Sequence, residues 1–297
     1  MNLAVSNISL GDLQYPTALA AIHDPPPTLW VRGQIDALRS PSVAIVGSRA
    51  ASPYAMEVGR RLGADLARRG IAVISGMARG VDSAAHRGAL DGDGMTIAVF
   101  GCGVDVIYPR EHEALAERIC ERGAIVSEFP PGTPPLKGHF PQRNRIISGL
   151  SLGVVVVEAA ERSGSLITAH YALDQGRAVL AVPGNVLGRR NYGAHALLRD
   201  GAKLVECADD ILEELTPGIR DWGLGTGEPK ESNNPNSASQ DPVLRRMTDG
   251  ESYDLDELSQ MSGLDRVRLL PRLLELELSG AVRRIAGGRF VRFRGPC

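Results

Sequence analysis

Short apolar runs recur through the middle of the chain, each closed by a glycine, a serine or an acid. Val43-Ala44-Ile45-Val46 ends in Gly47, and Ile71-Ala72-Val73-Ile74 ends in Ser75-Gly76. Thr96 to Phe100 ends in Gly101, and Ala124-Ile125-Val126 ends in Ser127-Glu128. Gly153 to Val157 ends in Glu158, and Ala178 to Val182 ends in Pro183-Gly184. Lys203-Leu204-Val205 is a candidate edge strand. Runs rich in β-branched residues, without polar alternation, predict strands buried on both faces. Between them lie helical patterns such as Tyr54 to Arg69, with apolar Met56, Val58, Leu62 and Leu66. Alternation of the two predicts an α/β fold, a parallel sheet with helices on both faces.

The same pattern divides the chain. Residues 1–40 are broken by proline, notably Pro25-Pro26-Pro27, and read as an extended arm with one short helix. Residues 41–215 carry the alternating elements. Residues 216–242 are rich in Gly, Pro, Asn and Ser, which predicts a flexible linker. Residues 243–297 form a last compact module. No internal repeat is visible.

Charge and composition then narrow the function classes. The 297 residues hold 33 Lys+Arg against 35 Asp+Glu, a formal charge of −2. That excludes a protein that coats nucleic acid by bulk positive charge. No apolar run approaches the ~20 residues that span a bilayer, and the first residues lack the basic and apolar stretches of a signal peptide. Cys102, Cys120, Cys207 and Cys297 are scattered without a CxxC pair, and no HExxH occurs. Neither a disulfide framework nor a metal site is expected, and a reducing cytoplasm is the simplest home.

In a parallel sheet, ligands bind at the carboxyl ends of the strands. Here those ends carry Gly47-Ser48-Arg49, Gly76-Met77-Ala78-Arg79, Gly101-Cys102-Gly103, Glu158 and Gly184. Glycine admits a ligand to the backbone, and a helix start offers free N–H groups to an anion. Any one of these glycines is equally explained by a tight turn. Gly, Ser and Arg together after the first run point to a phosphate. The pattern is not GxGxxG, the second run lacks the acid that holds a ribose, and no GxxxxGK[ST] occurs, so NAD and P-loop chemistry are excluded.

The densest chemistry is Lys137-Gly138-His139-Phe140-Pro141-Gln142-Arg143-Asn144-Arg145. Pro141 is expected to stop any helix before it, with a new helix opening near Asn144. Lys137, Arg143 and Arg145 then gather at a helix start, where the dipole favours anions, and guanidinium forks match phosphate oxygens. Phe140 either stacks a base or belongs to the core.

These segments resemble the DNA-processing protein A (DprA/Smf) family. The resemblance rests on Gly47-Ser48-Arg49, on Ser75-Gly76-Met77-Ala78-Arg79-Gly80-Val81-Asp82-Ser83-Ala84-Ala85-His86, and on Phe140-Pro141-Gln142-Arg143-Asn144-Arg145-Ile146-Ile147. Val157-Glu158-Ala159 with Arg162-Ser163-Gly164-Ser165-Leu166-Ile167-Thr168, Val182-Pro183-Gly184-Asn185 and Asp200-Gly201-Ala202 extend it, and Tyr15-Pro16 resembles the family's lead-in. The resemblance implies a Rossmann-like domain in a cytoplasmic bacterial protein. That protein binds single-stranded DNA, protects it and helps load a RecA-type recombinase during natural transformation. It implies a homodimer through that domain, and the apolar Ala178–Val182 strand near a sheet edge fits this. No catalytic residue, cofactor or metal is implied. Many members carry a helical domain ahead of the lead-in, for which only about 14 residues are present here.

Carried onto this sequence, Gly47, Ser48 and Arg49 hold a phosphate through N–H groups, hydroxyl and guanidinium. Arg79, Lys137, Arg143, Arg145 and Arg162 supply charge, Asn144 bonds a sugar, phosphate or base edge, and Phe140 stacks. Ser163, Gly164, Ser165 and Thr168 close the pocket at a helix start.

The last module reads as a small winged helix. Helices are predicted over 242–247, from Asp254 to near Gly263, and over 265–278, followed by a hairpin of 282–285 with 289–294. Arg283, Arg284, Arg289, Arg292 and Arg294 crowd the wing, which contacts either DNA or a protein. Leu269, Leu270, Leu273, Leu274, Leu276 and Leu278 occupy more than one helix face and favour a protein contact. Two other function classes stay open. One is a hydrolase of nucleoside monophosphates with Glu128 or Glu158 as its acid, although Arg162-Ser163-Gly164-Ser165 is not the Pro-Gly-Gly loop of such hydrolases. The other is an architectural protein that reads DNA with the winged helix.

Overall fold

The computed structural model describes residues 5–221, 243–244, 246–247, 252–278, 282–284 and 289–292. The chain divides into two units, Met1–Gly225 and Thr226–Cys297. In the first unit, β1 (Val5–Ser9), α1 (Thr17–Ala20) and β2 (Thr28–Gly33) precede β3 (Ser42–Val46) and α2 (Pro53–Arg68). Next come β4 (Ala72–Ser75), α3 (Val81–Asp91), β5 (Thr96–Val99), α4 (Glu113–Arg122), β6 (Ala124–Ser127) and α5 (His139–Gly149). The unit continues with β7 (Gly153–Val156), α6 (Gly164–Asp174), β8 (Ala178–Ala181), α7 (Tyr192–Arg199), β9 (Lys203–Leu204) and α8 (Ala208–Asp221).

Among the described residues the strands of this unit form one sheet in the order β1-β2-β6-β5-β4-β3-β7-β8-β9. From β6 to β9 every pairing is parallel. Every residue of β3 through β7 is buried, as the unbroken apolar runs require. Leu19, Ile146, Ile147, Ala169, Ala172, Ala194 and Leu197 pack one face of the sheet. Leu62 and Leu66 of α2, Val81 and Ala85 of α3, and Ile211 and Leu215 of α8 pack the other. The chain order reverses at β3, which has β4 on one side and β7 on the other. Such a reversal opens a crevice between the two outgoing loops, beside the candidate site residues.

The first 40 residues depart from the expected arm. The short helix is present as α1, but β1 and β2 also join the sheet, antiparallel to each other and to β6. Leu29 and Val31 are fully buried while Thr28 and Trp30 are half-buried, the alternation of a strand covered mainly on one side. Tyr15 closes the loop between the strands by donating its hydroxyl to the Pro26 carbonyl at 2.7 Å. The expected linker also starts later than residue 216, because α8 runs to Asp221. Residues 222–242 lie outside the described residues.

In the second unit, β10 (Ser252–Tyr253), α9 (Leu255–Ser262), α10 (Arg266–Leu278), β11 (Val282–Arg284) and β12 (Phe290–Arg292) follow one another. The strands form an antiparallel sheet in the order β10-β12-β11. Asp254 and Glu257 form a reciprocal capping box at the start of α9, and Gly263 ends it at φ 73°. Val243, Leu244, Met247, Leu258, Leu269, Leu273, Leu276, Val282 and Phe290 make the core. Helices followed by this hairpin give a winged-helix domain. Of the helix expected over 242–247, the described residues 243, 244 and 246 lie in turns and Met247 in irregular backbone, and residues 242 and 245 fall outside the description. Two wing arginines face the protein: Arg289 pairs with Glu257 at 3.1 Å, and Arg292 donates to the carbonyls of Leu244 and Met247. Leu270 is exposed beside the buried Leu269, Leu273 and Leu276. The side chains of Arg283, Arg284, Arg294, Leu274 and Leu278 lie outside the description.

Candidate nucleic-acid interface

The loop after β3 is pinned from both sides. Ser48 donates its N–H to the Glu158 carbonyl at 2.7 Å, and Val81 donates to the Ser48 carbonyl at 3.3 Å. A side chain at Gly47 would run into Val81 and the Glu158 carbonyl, so a glycine is needed there. The Ser48 N–H, expected to reach a phosphate, is therefore already engaged. The loop offers instead the Ser48 hydroxyl, which has no partner among the described residues, and the exposed Arg49. The Arg49 guanidinium lies 5.5 Å from the centroid of the Phe140 ring.

The loop after β4 is held by buried charge. Asp82 accepts from the N–H groups of Gly76 and Ala78 at 3.1 and 3.3 Å. Arg143, 4% exposed, donates to the carbonyls of Gly76 and Val99. The ring of His112 bonds the Met77 carbonyl at 3.0 Å. Together these hold Met77 at φ 58°, a left-handed conformation unusual for a non-glycine residue. Burial pulls the Arg143 guanidinium down to about 10, opposed by the attraction of Asp82, so it stays charged at neutral pH. Burial pushes the Asp82 carboxyl up, and the Arg143 charge opposes this. The turn ends at Gly80, φ 78°, and carries Arg79 outward, where it pairs with Glu111.

Helix α5 begins earlier than expected. It opens at His139 with Pro141 inside the first turn, where a missing N–H costs no helical bond. Lys137 precedes this turn, is exposed, and has no ion-pair partner among the described residues. Phe140 is half-buried, 5.5 Å from the Tyr108 ring at a tilt of 40°. Arg143 and Arg145 lie further along, and both point inward. Arg145 is 6% exposed; it grips Glu128 through two bonds of 2.7 and 2.8 Å and reaches Asp24 at 3.1 Å. The expected phosphate contacts of Arg143 and Arg145 are thus corrected: one builds the loop after β4, and the other latches the N-terminal segment to β6.

Helix α6 supplies the opposite wall. Ser163 caps it, its hydroxyl 2.7 Å from that of Ser165. Asn144 donates to the Gly164 carbonyl at 3.3 Å and ties α5 to this helix start. Arg162 and Gly164 are exposed, whereas Ser165 and Thr168 are 8% and 1% exposed. Thr168 is therefore part of the packing and not of the surface, a second correction. Glu158, the candidate acid, accepts from the N–H and hydroxyl of Ser52 at 3.1 and 2.6 Å. Sequence reasoning missed Asp82, His112 and Tyr108 as shaping residues. A polar Asp-Ser pair at the start of an otherwise small-residue helix was the available signal for Asp82. Nothing local marks Tyr108 or His112. Among the described residues no group of His, Cys, Asp and Glu is placed to hold a metal, and no helix is long and apolar enough to cross a membrane.

The fold and this edge define a Rossmann-like protein with an exposed basic rim at its topological switch point. The family model for DNA recombination-mediator protein A matches residues 6–216, and that for the DprA winged helix domain matches residues 227–288. Protein Smf of Escherichia coli is 44% identical over 95% of this chain and 76% of its own length. DNA processing protein DprA of Streptococcus pneumoniae is 45% identical over 70% and 74%. The X-ray structure of DprA from Streptococcus pneumoniae superposes with a TM-score of 0.68 at 44% identity, covering 70% of this chain and 74% of that one. A structure of DNA processing protein A from Helicobacter pylori, described for its unique single-stranded DNA binding mode, gives 0.65 at 29% identity, covering 74% and 97%. The chain belongs to the DNA recombination-mediator protein A family.

Proposed function

We propose that this chain binds single-stranded DNA along the carboxyl edge of β3 to β7. The observation that carries this is the set of solvent-facing groups there: Arg49, Lys137 and Arg162, with Arg49 seated over Phe140. The cations neutralise successive phosphates, and Ser48, Ser163 and Asn144 bond backbone or sugar oxygens. Phe140, flanked by the tilted Tyr108 ring, offers a base an aromatic face to stack on. Helix α6 opens on the same wall and presents the positive end of its dipole.

Bound in this way in the cytoplasm, the strand is protected and passed to a RecA-type recombinase during natural transformation. Kinship with the named DprA proteins supports this reading. The protein acts without catalysis. In support, Glu128 is gripped by Arg145 and Glu158 by Ser52, so both candidate acids serve as structural anchors. It works as a homodimer through the first unit, where Ile167 and Leu173 of α6 and Leu204 of β9 are exposed apolar groups near one edge of the sheet.

The test is fluorescence anisotropy of the full chain with oligothymidylate and with a duplex of the same length at rising salt. Preference for the single strand, with log affinity falling linearly against log salt, is expected. Equal or tighter duplex binding, or salt-independent binding, overturns the proposal. Light scattering at tens of micromolar tests the dimer, and a monomer mass refutes it.

A further inference from the structure

Three loops meet at one end of the rim, and one of them carries a charge that works against a polyanion. Gly80 lies so close to the loop after β3 that a side chain there would collide with the Ser48 carbonyl and crowd that of Arg49. Arg79 therefore stands one loop over from Arg49. The Phe140 ring lies beneath Arg49 and 5.5 Å from the ring of Tyr108. Tyr108 is exposed and sits two residues ahead of the short turn Arg110–His112. Its hydroxyl is near enough to act on the Arg79 charge. Arg49, Phe140, Tyr108 and Arg79 thus form one continuous surface.

Glu111 interrupts that surface. Its carboxylate accepts a hydrogen bond from the Arg79 Nε–H. This bond, and after it the Glu111 charge, raises the Arg79 pKa above the ordinary guanidinium value. Arg79 in turn lowers the Glu111 carboxyl, chiefly through the same bond. Both ions are therefore fully formed at neutral pH. The backbones that carry them are fixed by other contacts. The His112 ring bonds the Met77 carbonyl at 3.0 Å, and Asp82 accepts from the N–H groups of Gly76 and Ala78. The paired side chains are 63% and 52% exposed. An ion pair so exposed adds little to stability, and it opens by side-chain rotation alone. Among the described residues no ion pair holds Arg49 or Arg162, so Arg79 differs from them in carrying its own anion.

We infer that Arg79 is a further phosphate contact of the strand, and that Glu111 is the anion a DNA phosphate displaces there. The inference rests on the single-strand reading above. A phosphate accepts from a guanidinium fork as a carboxylate does, so one anion exchanges for the other without refolding. A lone phosphate has no advantage over the tethered carboxylate. A strand already anchored at Arg49 has one, because its next phosphate arrives at high effective concentration. Glu111 thus holds affinity below what the cations alone would give.

The experiment is fluorescence anisotropy of the full chain with oligothymidylate at several salt concentrations. It compares the parent with Glu111→Gln, Arg79→Ala, the double variant and Glu117→Gln. Glu117 is an exposed acid of α4 and controls for the loss of a negative charge. Circular dichroism verifies folding. Glu111→Gln is expected to bind about threefold more tightly, the worth of one exposed ion pair, and Glu117→Gln to bind as the parent does. In the Arg79→Ala background the gain from Glu111→Gln vanishes. From Glu111→Gln to the double variant the salt slope falls by about 0.7, the share of one phosphate. Unchanged or weaker binding in folded Glu111→Gln overturns the inference. An equal gain in Glu117→Gln, or a gain that survives Arg79→Ala, also overturns it, since either marks a general charge effect. Where the parent still shows salt-dependent preference for the single strand, these results refute the exchange alone. If the parent binds duplex equally well, or binds without salt dependence, the single-strand reading falls and the exchange falls with it.

Discussion

The carboxyl edge of the sheet holds cations at two depths that do different work. Arg143 and Arg145 form a floor, each almost fully buried and bonded to backbone carbonyls or carboxylates. Arg49, Lys137 and Arg162 form a rim, exposed to solvent. The same residue type thus builds the loops in one layer and is left available to a polyanion in the other. A buried cation does not release counterions on binding, because the protein already neutralises it. In the proposed single-strand site, what matters is which guanidiniums the fold leaves without a carboxylate.

The largest expected effect breaks the floor at its centre. Arg143→Met leaves the Asp82 carboxylate buried without its counter-charge and orphans the Gly76 and Val99 carbonyls. A loss of about 3–5 kcal/mol in urea denaturation is expected. A loss below about 1 kcal/mol would place the residue outside the structural layer. Arg145→Gln comes next, at about 2–3 kcal/mol, because Glu128 keeps little solvent contact but Gln retains some hydrogen bonding.

Next in size is a pH effect in the same layer. His86 is fully buried, and burial, with the nearby His112 and Arg143 charges, holds its pKa at about 3 against 6.5 for the free side chain. The folded pKa is depressed, so between these values the unfolded chain binds the extra proton. Stability is present above 6.5 and is lost as pH falls toward 3. Between pH 6.5 and 5 the loss is about 2 kcal/mol. His86→Gln, which removes the titrating imidazole, flattens this slope. An unchanged slope would mean that His86 titrates normally.

The smallest of these effects belongs to the rim's aromatic. Phe140→Ala lowers affinity for oligothymidylate by about 1 kcal/mol, the low end for base stacking, since the ring is already half covered. The salt slope stays put, because no counterion is released. A reduced slope would show that the ring instead positions Arg49.

The two layers also explain what could be read from the chain. The sheet was legible because β3 to β8 are unbroken apolar runs, and so was the edge where the candidate site residues gather, because each run ends in a small or polar residue. β1 and β2 were not legible. Pro25-Pro26-Pro27 obscures the alternation that starts at Thr28, and pairing with β6 joins it to residues nearly a hundred positions away. The rim was legible by residue type, but its separation from the floor was not. Arg143 and Arg145 sit in the same basic run as Lys137, and composition alone does not say which face of α5 meets Asp82 or Glu128. The position of Pro141 in the first helical turn, not before it, turns these side chains inward.

One measurement tests the division most directly: the slope of log affinity for oligothymidylate against log salt, compared between Arg49→Ala and Arg145→Gln in the full, folded chain. The slope is predicted to shrink by about 0.7 in Arg49→Ala, the share of one phosphate on a single strand, and to stay at the parent value in Arg145→Gln. An unchanged slope in Arg49→Ala, or a shrunken one in folded Arg145→Gln, would contradict the account.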